Sequence, residues 1–260
     1  MEFIVTTMQI DTYIFAFLFI TTTGFVAVKT RDIPPFLKIC HRNDPNLNEC
    51  VKRSIDLLRP YLKTGIPALQ IPPCEPLRVP QIEISHSAGP VSIKSTYTDI
   101  EVQGGTSFIL KSVKIDIDNN RVRLKLYIPR LEMNARYNIE GNIMMLPING
   151  NGLARGNFTD IDVINTIQGE HYQSRKTNET HYRVTDFYVD FDVGQADIYL
   201  DNLFNGDTIL SNAMNLFLNS NWKAVAAEIK PALENTVSEM FKTFSNKIYS
   251  KFPLNTLLPP

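Results

Sequence analysis

The sequence predicts an α+β fold in which a long C-terminal helix is wrapped by a curled antiparallel sheet, with a short N-terminal helix as a lid. Three observations predict it. From Trp222 onward, apolar residues recur every three or four positions (Trp222, Val225, Ala226, Ile229, Leu233, Val237, Met240, Phe241, Phe244, Ile248), which is one stripe of a helix. Upstream, between residues 113 and 200, apolar and polar residues alternate strictly in several runs, as in antiparallel strands with one wet and one buried face. A sheet with one apolar face needs a partner. Residues 221–251 as a helix would span roughly 45 Å, and no other predicted element is long enough to serve.

Composition bounds the class. The chain has 260 residues, 43% of them hydrophobic, and a net charge of −1. That leaves no field to recruit nucleic acid or an anionic membrane. The one basic run, Arg121, Arg123 and Lys125, alternates with Val122, Leu124 and Leu126 and reads as the solvated face of a strand. Residues 13–28 carry no charge and end at Lys29 and Arg31. They read as the apolar core of a secretory signal, with cleavage after Gly24 or Ala27. The segment before it carries Glu2 and Asp11 and no Lys or Arg, and starting at Met8 keeps Asp11. That acidity motivates an alternative, an uncleaved anchor on a membrane-tethered or partner-binding signalling protein. A single domain is expected over residues 33–252, with 253–260 as a tail.

The chain in order begins with an extended, proline-bearing arm at 32–39. Asp44 with Pro45, or Asn46 with Glu49, announces a helix over residues 45–63. Its apolar face is Leu47, Val51, Ile55, Leu58 and Leu62, and Gly65 followed by Pro67 ends it. Cys40 and Cys50 flank its start. In an oxidising compartment they would close a small loop, leaving Cys74 as a buried apolar side chain or a free thiol. The proline-rich stretch 66–80 reads as an extended lead-in. Strands then follow at 113–117, 122–128, 131–140, 187–193 and 196–200, with turns at Asn119–Asn120, after Pro129, at 149–152 (Asn-Gly-Asn-Gly) and at Gly194–Gln195. Gly141, Gly150, Gly152 and Gly156 supply curvature. Within the long helix, Pro231 predicts a kink or an opened turn.

Sheet and helix do not fill space evenly, so elongated apolar voids are expected between them. The lining candidates are the inward positions: Leu124, Leu126, Met133 and Tyr137 on the middle strands, and Phe187, Val189, Phe191 and Ile198 on the last ones. The helix adds Trp222, Ile229, Leu233, Val237 and Phe241, and the lid adds Leu58 and Leu62. Tyr137 has two readings: its hydroxyl orients a ligand's polar end, or it is a core tyrosine bonded to a backbone carbonyl.

Three motifs coincide: CHRNDPNLNEC leading into GIPALQIPPCEPL, then YNIEGNIMMLPINGNG, then LFNGDTILSNAMNLFLNSNWKAVAAEIKP. Together they resemble the takeout and haemolymph juvenile-hormone-binding family of insects, over residues 33–252. The resemblance implies a tubular lipid-binding fold and a secreted carrier of a juvenile hormone-like terpenoid, a fatty acid or a similar lipid, held in an elongated tunnel. It implies a Cys40–Cys50 disulfide. True hormone carriers hold a second disulfide in the sheet, and here no cysteine follows Cys74, so the resemblance is to a takeout-like member.

No catalytic motif occurs. There is no G-x-S-x-G, H-E-x-x-H, P-loop or G-x-G-x-x-G. His41, His86, His171 and His181 are scattered and read as surface residues, although His171 and His181 could meet across neighbouring strands. Asp186, Asp190 and Asp192 read as a solubilising face. The expectation is a non-enzymatic monomer with no cofactor, no metal, no nucleic-acid partner and no stable membrane association after signal cleavage. A small hydrophobic molecule is its partner. Asn157 and Asn178 open two glycosylation sequons.

Overall fold

The computed structural model describes residues 33–260 apart from residue 176. The expected signal segment and its cleavage points lie outside the described residues. Helix α1 (Leu47–Leu62) is followed by a 3-10 turn at Pro67–Leu69 and by six strands: β1 (Leu77–Ala88), β2 (Val91–Gln103), β3 (Ile109–Asp116), β4 (Arg121–Ile143), β5 (Leu146–Gln173) and β6 (Thr180–Leu200). Helices α2 (Thr208–Ser220), α3 (Trp222–Lys251) and α4 (Leu254–Leu257) complete the chain. All strand pairs are antiparallel, in the order β1-β2-β4-β5-β6. β3 pairs with the first part of β4, beyond the end of β2.

The sheet is made of fewer and longer strands than the turn residues suggest. β4 has 23 residues and runs straight through Pro129. β5 has 28 and runs through Asn149–Gly152; β6 has 21 and runs through Gly194–Gln195. None of those three places is a hairpin, whereas the Asn119–Asn120 turn does separate β3 from β4. The β4–β5 hairpin turns instead on Met144 and Met145, both in the left-handed region (φ 49° and 71°). Two of the misread signals, Pro129 and Gly194, have a common cause. Ile128 pairs with Ile161 and Arg130 with Thr159, so Pro129 faces Asp160. Thr159 pairs with Gln195 and Ile161 with Val193, so Asp160 faces Gly194. Proline, a left-handed aspartate (φ 55°) and glycine therefore share one transverse row. At Gly194 an added Cβ would lie 2.7 Å from the Asp160 Cβ, a contact only glycine avoids. This row is a crease across three strands, and the sheet bends there without ending.

Helix α3 crosses the open side of the curled sheet and lies against both β6 and β1. Its 30 residues continue through Pro231 as one element. It is not the sheet's sole partner: β6 extends over about 70 Å, and α3 alone covers about 45 Å. Helix α2, with 13 residues, supplies about 20 Å more. Strand β6 is an edge strand, and side chains of the two helices pair its open backbone. Asn215 accepts from the Leu200 N–H and donates to the Leu200 carbonyl, both at 2.9 Å. Asn219 does the same at Ile198, at 2.8 Å each way, and Asn246 at Val184, at 2.9 and 3.0 Å. Ser238 accepts from the Val189 N–H and Glu234 from the Phe191 N–H. On α1, Asn48 accepts from the Ile115 N–H of β3.

The expected tail is part of the fold. Leu254 and Leu257 pack against the core, and the Arg42 N–H donates to the Pro259 carbonyl at 2.7 Å. Two of the four histidines differ from expectation, while His41 and His171 are exposed. His181 is buried, with Nδ1 3.0 Å from the Tyr249 carbonyl, so it pins β6 to the end of α3. His86 stands 3.6 Å from Glu228, linking β1 to the same helix. Asp190 and Asp192 do more than solubilise: they hold Lys230 of α3 at 2.8 and 3.5 Å. The bond from Lys230 lowers the Asp190 carboxyl, and that same bond raises the Lys230 ammonium.

The seam along β6 gives a direct test. Asn215→Ala strands a buried N–H and a buried carbonyl together. The expected loss is about 2–4 kcal/mol of unfolding free energy, read as a lower urea midpoint. Asn212→Ala, one turn away on the exposed side, should leave the midpoint unchanged. Equal midpoints for both variants would show that the seam contributes nothing.

Candidate functional site

The inner face of the sheet is set by strand register, and it is not uniformly packed. On β4, Ala135, Tyr137, Ile139 and Ile143 are buried, while Val122, Leu124, Leu126, Ile128, Leu131 and Met133 keep part of their surface accessible. On β6, Phe187 and Val189 are buried, while Phe191, Val193 and Ile198 are half-buried. The α3 stripe, Val225, Ile229, Leu233 and Val237, is half-buried throughout, and Ser238 is the one buried residue of that helix. An inward apolar side chain that stays accessible has no neighbour filling the space before it.

The apolar interior accordingly divides into blocks. One is built from Val91, Ile93, Tyr137, Ile139, Ile148 and Leu203, with Met133, Ile198 and Ile229 packed on it. A second is built from Ile161, Val163, Val184, Phe187 and Val189, with Leu126, Phe191 and Val237 packed on it. The boundary between them lies near the crease. Leu124 and Leu233 belong to neither block. The inward apolar side chains of helix and sheet near this boundary form an incompletely buried apolar band.

The structure brings together most but not all of the residues expected to line such a space. Leu124, Leu126, Met133, Phe191, Ile198, Ile229, Leu233 and Val237 face it. Phe187 and Val189 are buried beside it. Phe241 is 39% exposed and stacks on Phe187 at 5.7 Å. Trp222 sits half-buried at the start of α3, outside both blocks. Tyr137 is the core tyrosine of the two readings: it is 4% exposed and its hydroxyl donates to the Asp201 carbonyl at 2.6 Å. Burial, and then the Asp201 charge, push its phenol well above the usual range. Its hydroxyl proton is spent within the protein.

Leu58 and Leu62 lie elsewhere, packed with Ile66, Leu69, Ile248 and Phe252 at the far end of α3. Helix α1 is not a free lid. Cys40 is bonded to Cys50, with Cα atoms 5.9 Å apart. Ser54 donates to the Lys38 carbonyl and Arg59 to the Phe108 carbonyl, and Asn48 is tied to β3. The thiol of Cys74 is half-buried, and burial raises it above its ordinary range.

One inward residue was absent from the expected lining. Asn165 pairs with Leu124 on one side and Val189 on the other. It takes the same face as Ile161, Val163 and Ile167. Its Oδ1 is buried and has no hydrogen-bond partner. A buried acceptor left unpaired costs about 1–3 kcal/mol and calls for an explanation. It places a single acceptor on an otherwise apolar wall.

Two surface hollows are of a different kind. One, of about 450 Å³, runs along Glu239, Lys242, Asn246 and Lys247 of α3. The other, of about 230 Å³, lies among Arg130, Glu132, Arg155 and Asp197 on the outer sheet face. Both are rimmed by charged side chains, which suits water better than an apolar molecule. The second hollow also contains Asn157, which is half-buried in mid-strand. Asn178 is exposed in the β5–β6 turn. Among the described residues, no cluster of His, Cys, Asp or Glu could hold a metal, and no helix is long and apolar enough to cross a membrane.

With this geometry in place, comparison with known proteins is informative. The family model described as haemolymph juvenile hormone binding protein matches residues 14–259. The circadian clock-controlled protein daywake of Drosophila melanogaster is 24% identical over 227 residues, covering 85% of this chain and 86% of that one. A Schistocerca gregaria protein, provisionally named a beta-carotene-binding protein, is 20% identical over 219 residues, covering 84% and 86%. The crystal structure of Epiphyas postvittana Takeout 1 superposes with a TM-score of 0.71 at 24% identity, covering 86% of this chain and all of that one. That superposition shows a shared fold.

The attachment of α1 predicts how Leu58 behaves. Leu58→Ala removes half-buried contacts in the Phe252 block, an expected loss of about 1–3 kcal/mol. For a chain of this size that is a fall of about 3–10 °C in the ligand-free Tm. A calorimetric scan checks it. An unchanged Tm would return α1 to the role of a loosely held lid.

Proposed function

Because the chain belongs to the haemolymph juvenile hormone binding protein family, we propose that it is a secreted, non-enzymatic carrier of a small hydrophobic ligand. The observation that supports this most is the band of inward, incompletely buried apolar residues between α3 and the curled sheet. An elongated terpenoid, fatty acid or carotenoid would complete the packing of that band, gaining about 25 cal/mol for each Å² of apolar surface withdrawn from water. The unpaired Asn165 Oδ1 suits a ligand with a hydroxyl or carboxylic acid proton at one end. Such a proton would satisfy the acceptor and fix the ligand's direction in the band. The Schistocerca relative's name agrees with a greasy cargo. The Cys40–Cys50 bond agrees with export, since disulfides persist in oxidising compartments. Asn178 is the sequon placed for glycosylation, because its side chain is accessible.

Secretion and cargo are tested together. The full chain is expressed in insect cells, and protein from the medium is sequenced from its N-terminus. Native mass spectrometry and lipid extraction then follow. The expected result is a chain beginning after Gly24 or Ala27 with a co-purifying or titratable lipid. A chain held on the cells and still beginning at Met1 or Met8 would favour the tethered alternative. Failure to bind any lipid would end the carrier reading.

Asn165→Leu separates ligand orientation from packing. It removes the unpaired acceptor, so the ligand-free protein should gain about 1–2 kcal/mol in unfolding free energy. Affinity for a hydroxylated or acidic ligand should fall about five- to twentyfold, while affinity for a pure hydrocarbon of equal length should hold. Equal losses for both ligands would show that Asn165 takes no part in orientation.

A further inference from the structure

One pole of the molecule carries a surface that the carrier reading does not use. Three elements meet there. The β1–β2 turn lies at Gly89–Pro90, and the Met144 N–H of the β4–β5 turn donates to the Pro90 carbonyl at 2.7 Å. Helix α2 points its N-terminus the same way. Asn219 sits at Ile198, Asn215 at Leu200, and the Ser211 hydroxyl donates to the Leu203 carbonyl at 2.7 Å. Leu203 bridges to Gly150, a few residues from the β4–β5 turn. Thr208 and Ile209 therefore extend beyond Leu203 toward that turn.

None of the three elements carries a charge of its own, although the Glu228 carboxylate of α3 lies against Gly89. No Asp, Glu, Lys or Arg occurs in residues 87–93, 141–154 or 208–222. Asp207, just outside, is consumed as the α2 cap, accepting from the Ile209 and Leu210 N–H groups. Large apolar side chains stand in water here: Met145 is 91% exposed, Ile209 80%, Leu216 70% and Leu210 50%. Exposed apolar side chains on neighbouring elements mark a contact surface.

A second observation is independent of exposure. A two-residue turn with both residues at positive φ favours Asn-Gly. Here Met144 and Met145 occupy it, at φ 49° and 71°. Backbone strain of this kind persists where function holds it. The molecule accepts a poor turn in order to place an apolar side chain at its apex.

We propose that this pole docks reversibly on a phospholipid surface, with Met145 and Ile209 entering the acyl boundary. A protruding turn apex offers far less than the roughly 800 Å² per partner of a stable protein dimer, whereas insertion into lipid needs no matching shape. The lack of Lys and Arg on these elements fits a zwitterionic surface, and entry by apolar side chains makes binding insensitive to salt. The proposal holds whatever the cargo, and its test needs no cargo.

Protein recovered from the medium is floated with phosphatidylcholine vesicles at low and high salt. The wild type should partition to vesicles equally at both. The double substitution Met144→Asn with Met145→Gly should raise the Tm, by relieving the turn, and lower the partition coefficient about tenfold or more, since losing one large apolar anchor is worth at least that. Ile209→Gln should lower it similarly, and Tyr188→Ser, on the outer sheet face and 61% exposed, should not. Unchanged partition in both pole variants overturns the proposal. So does a concentration-dependent dimer of the wild type that these variants abolish, which would assign the face to a second copy. Partition lost at high salt would assign binding to charged residues elsewhere and likewise overturn it.

Discussion

The structure depends on the seam between the edge of β6 and the helices that follow it. An edge strand of 21 residues presents a row of unpaired N–H and carbonyl groups, and inside a closed fold each must be satisfied. Another strand could do this. Here side chains do it, because two periods nearly coincide. Four residues of helix rise 6.0 Å, and two residues of strand rise about 6.6–6.8 Å. So Asn215 and Asn219 on α2 meet Leu200 and Ile198, and Glu234 and Ser238 on α3 meet Phe191 and Val189. The asparagine amide suits the task, since it offers an acceptor and a donor in one plane. Once this register is set, α3 has a fixed height on the sheet, and its stripe faces the inner wall.

That seam also accounts for the polar residues of the third sequence motif. Its Ser211, Asn215 and Asn219 recur every four residues inside an uncharged run. Read for hydrophobic periodicity alone, they are interruptions of a stripe. Read as edge partners, they carry the topology, because only an antiparallel strand laid beside the helix uses them. The apolar stripe told that α3 would be covered, but it could not show that α2 was a separate helix completing the same edge.

Turn signals were legible in the sequence as irregularities but not by kind. Pro129 and Gly194 do mark places where the ladder fails. They fail in the same row, opposite Asp160, and a row that fails together bends a sheet instead of ending its strands. Single-sequence reading has no access to that alignment, because register across strands is a tertiary fact. The Asn-Gly-Asn-Gly run was misplaced as a turn for the converse reason. Local preference for Asn-Gly lost to the register that puts the hairpin apex at Met144–Met145. The lining of the apolar band was more legible, since alternation alone sorts inward from outward residues. Asn165 was missed because attention followed apolar residues, although it fills the third inward slot of the run Ile161, Val163, Asn165, Ile167.

The crease connects fold to site. A flat sheet against a straight helix would pack at one constant depth, and a single continuous core would result. Bending β4, β5 and β6 at one row leaves two stretches that approach the helix differently, and the apolar interior divides near that row into two blocks. Along α3, Leu233 lies between Ile229 of one block and Val237 of the other and packs on neither. A second proline, Pro231, lies close by on α3, within the turn whose neighbours Lys230 and Glu234 hold Asp190 and the Phe191 N–H. The ends are fastened independently of this middle: by the disulfide, α1 and the returning C-terminus at one end, and by the asparagine seam of α2 at the other. Because the two ends carry their own packing, the apolar band between them can remain open without dissolving the fold.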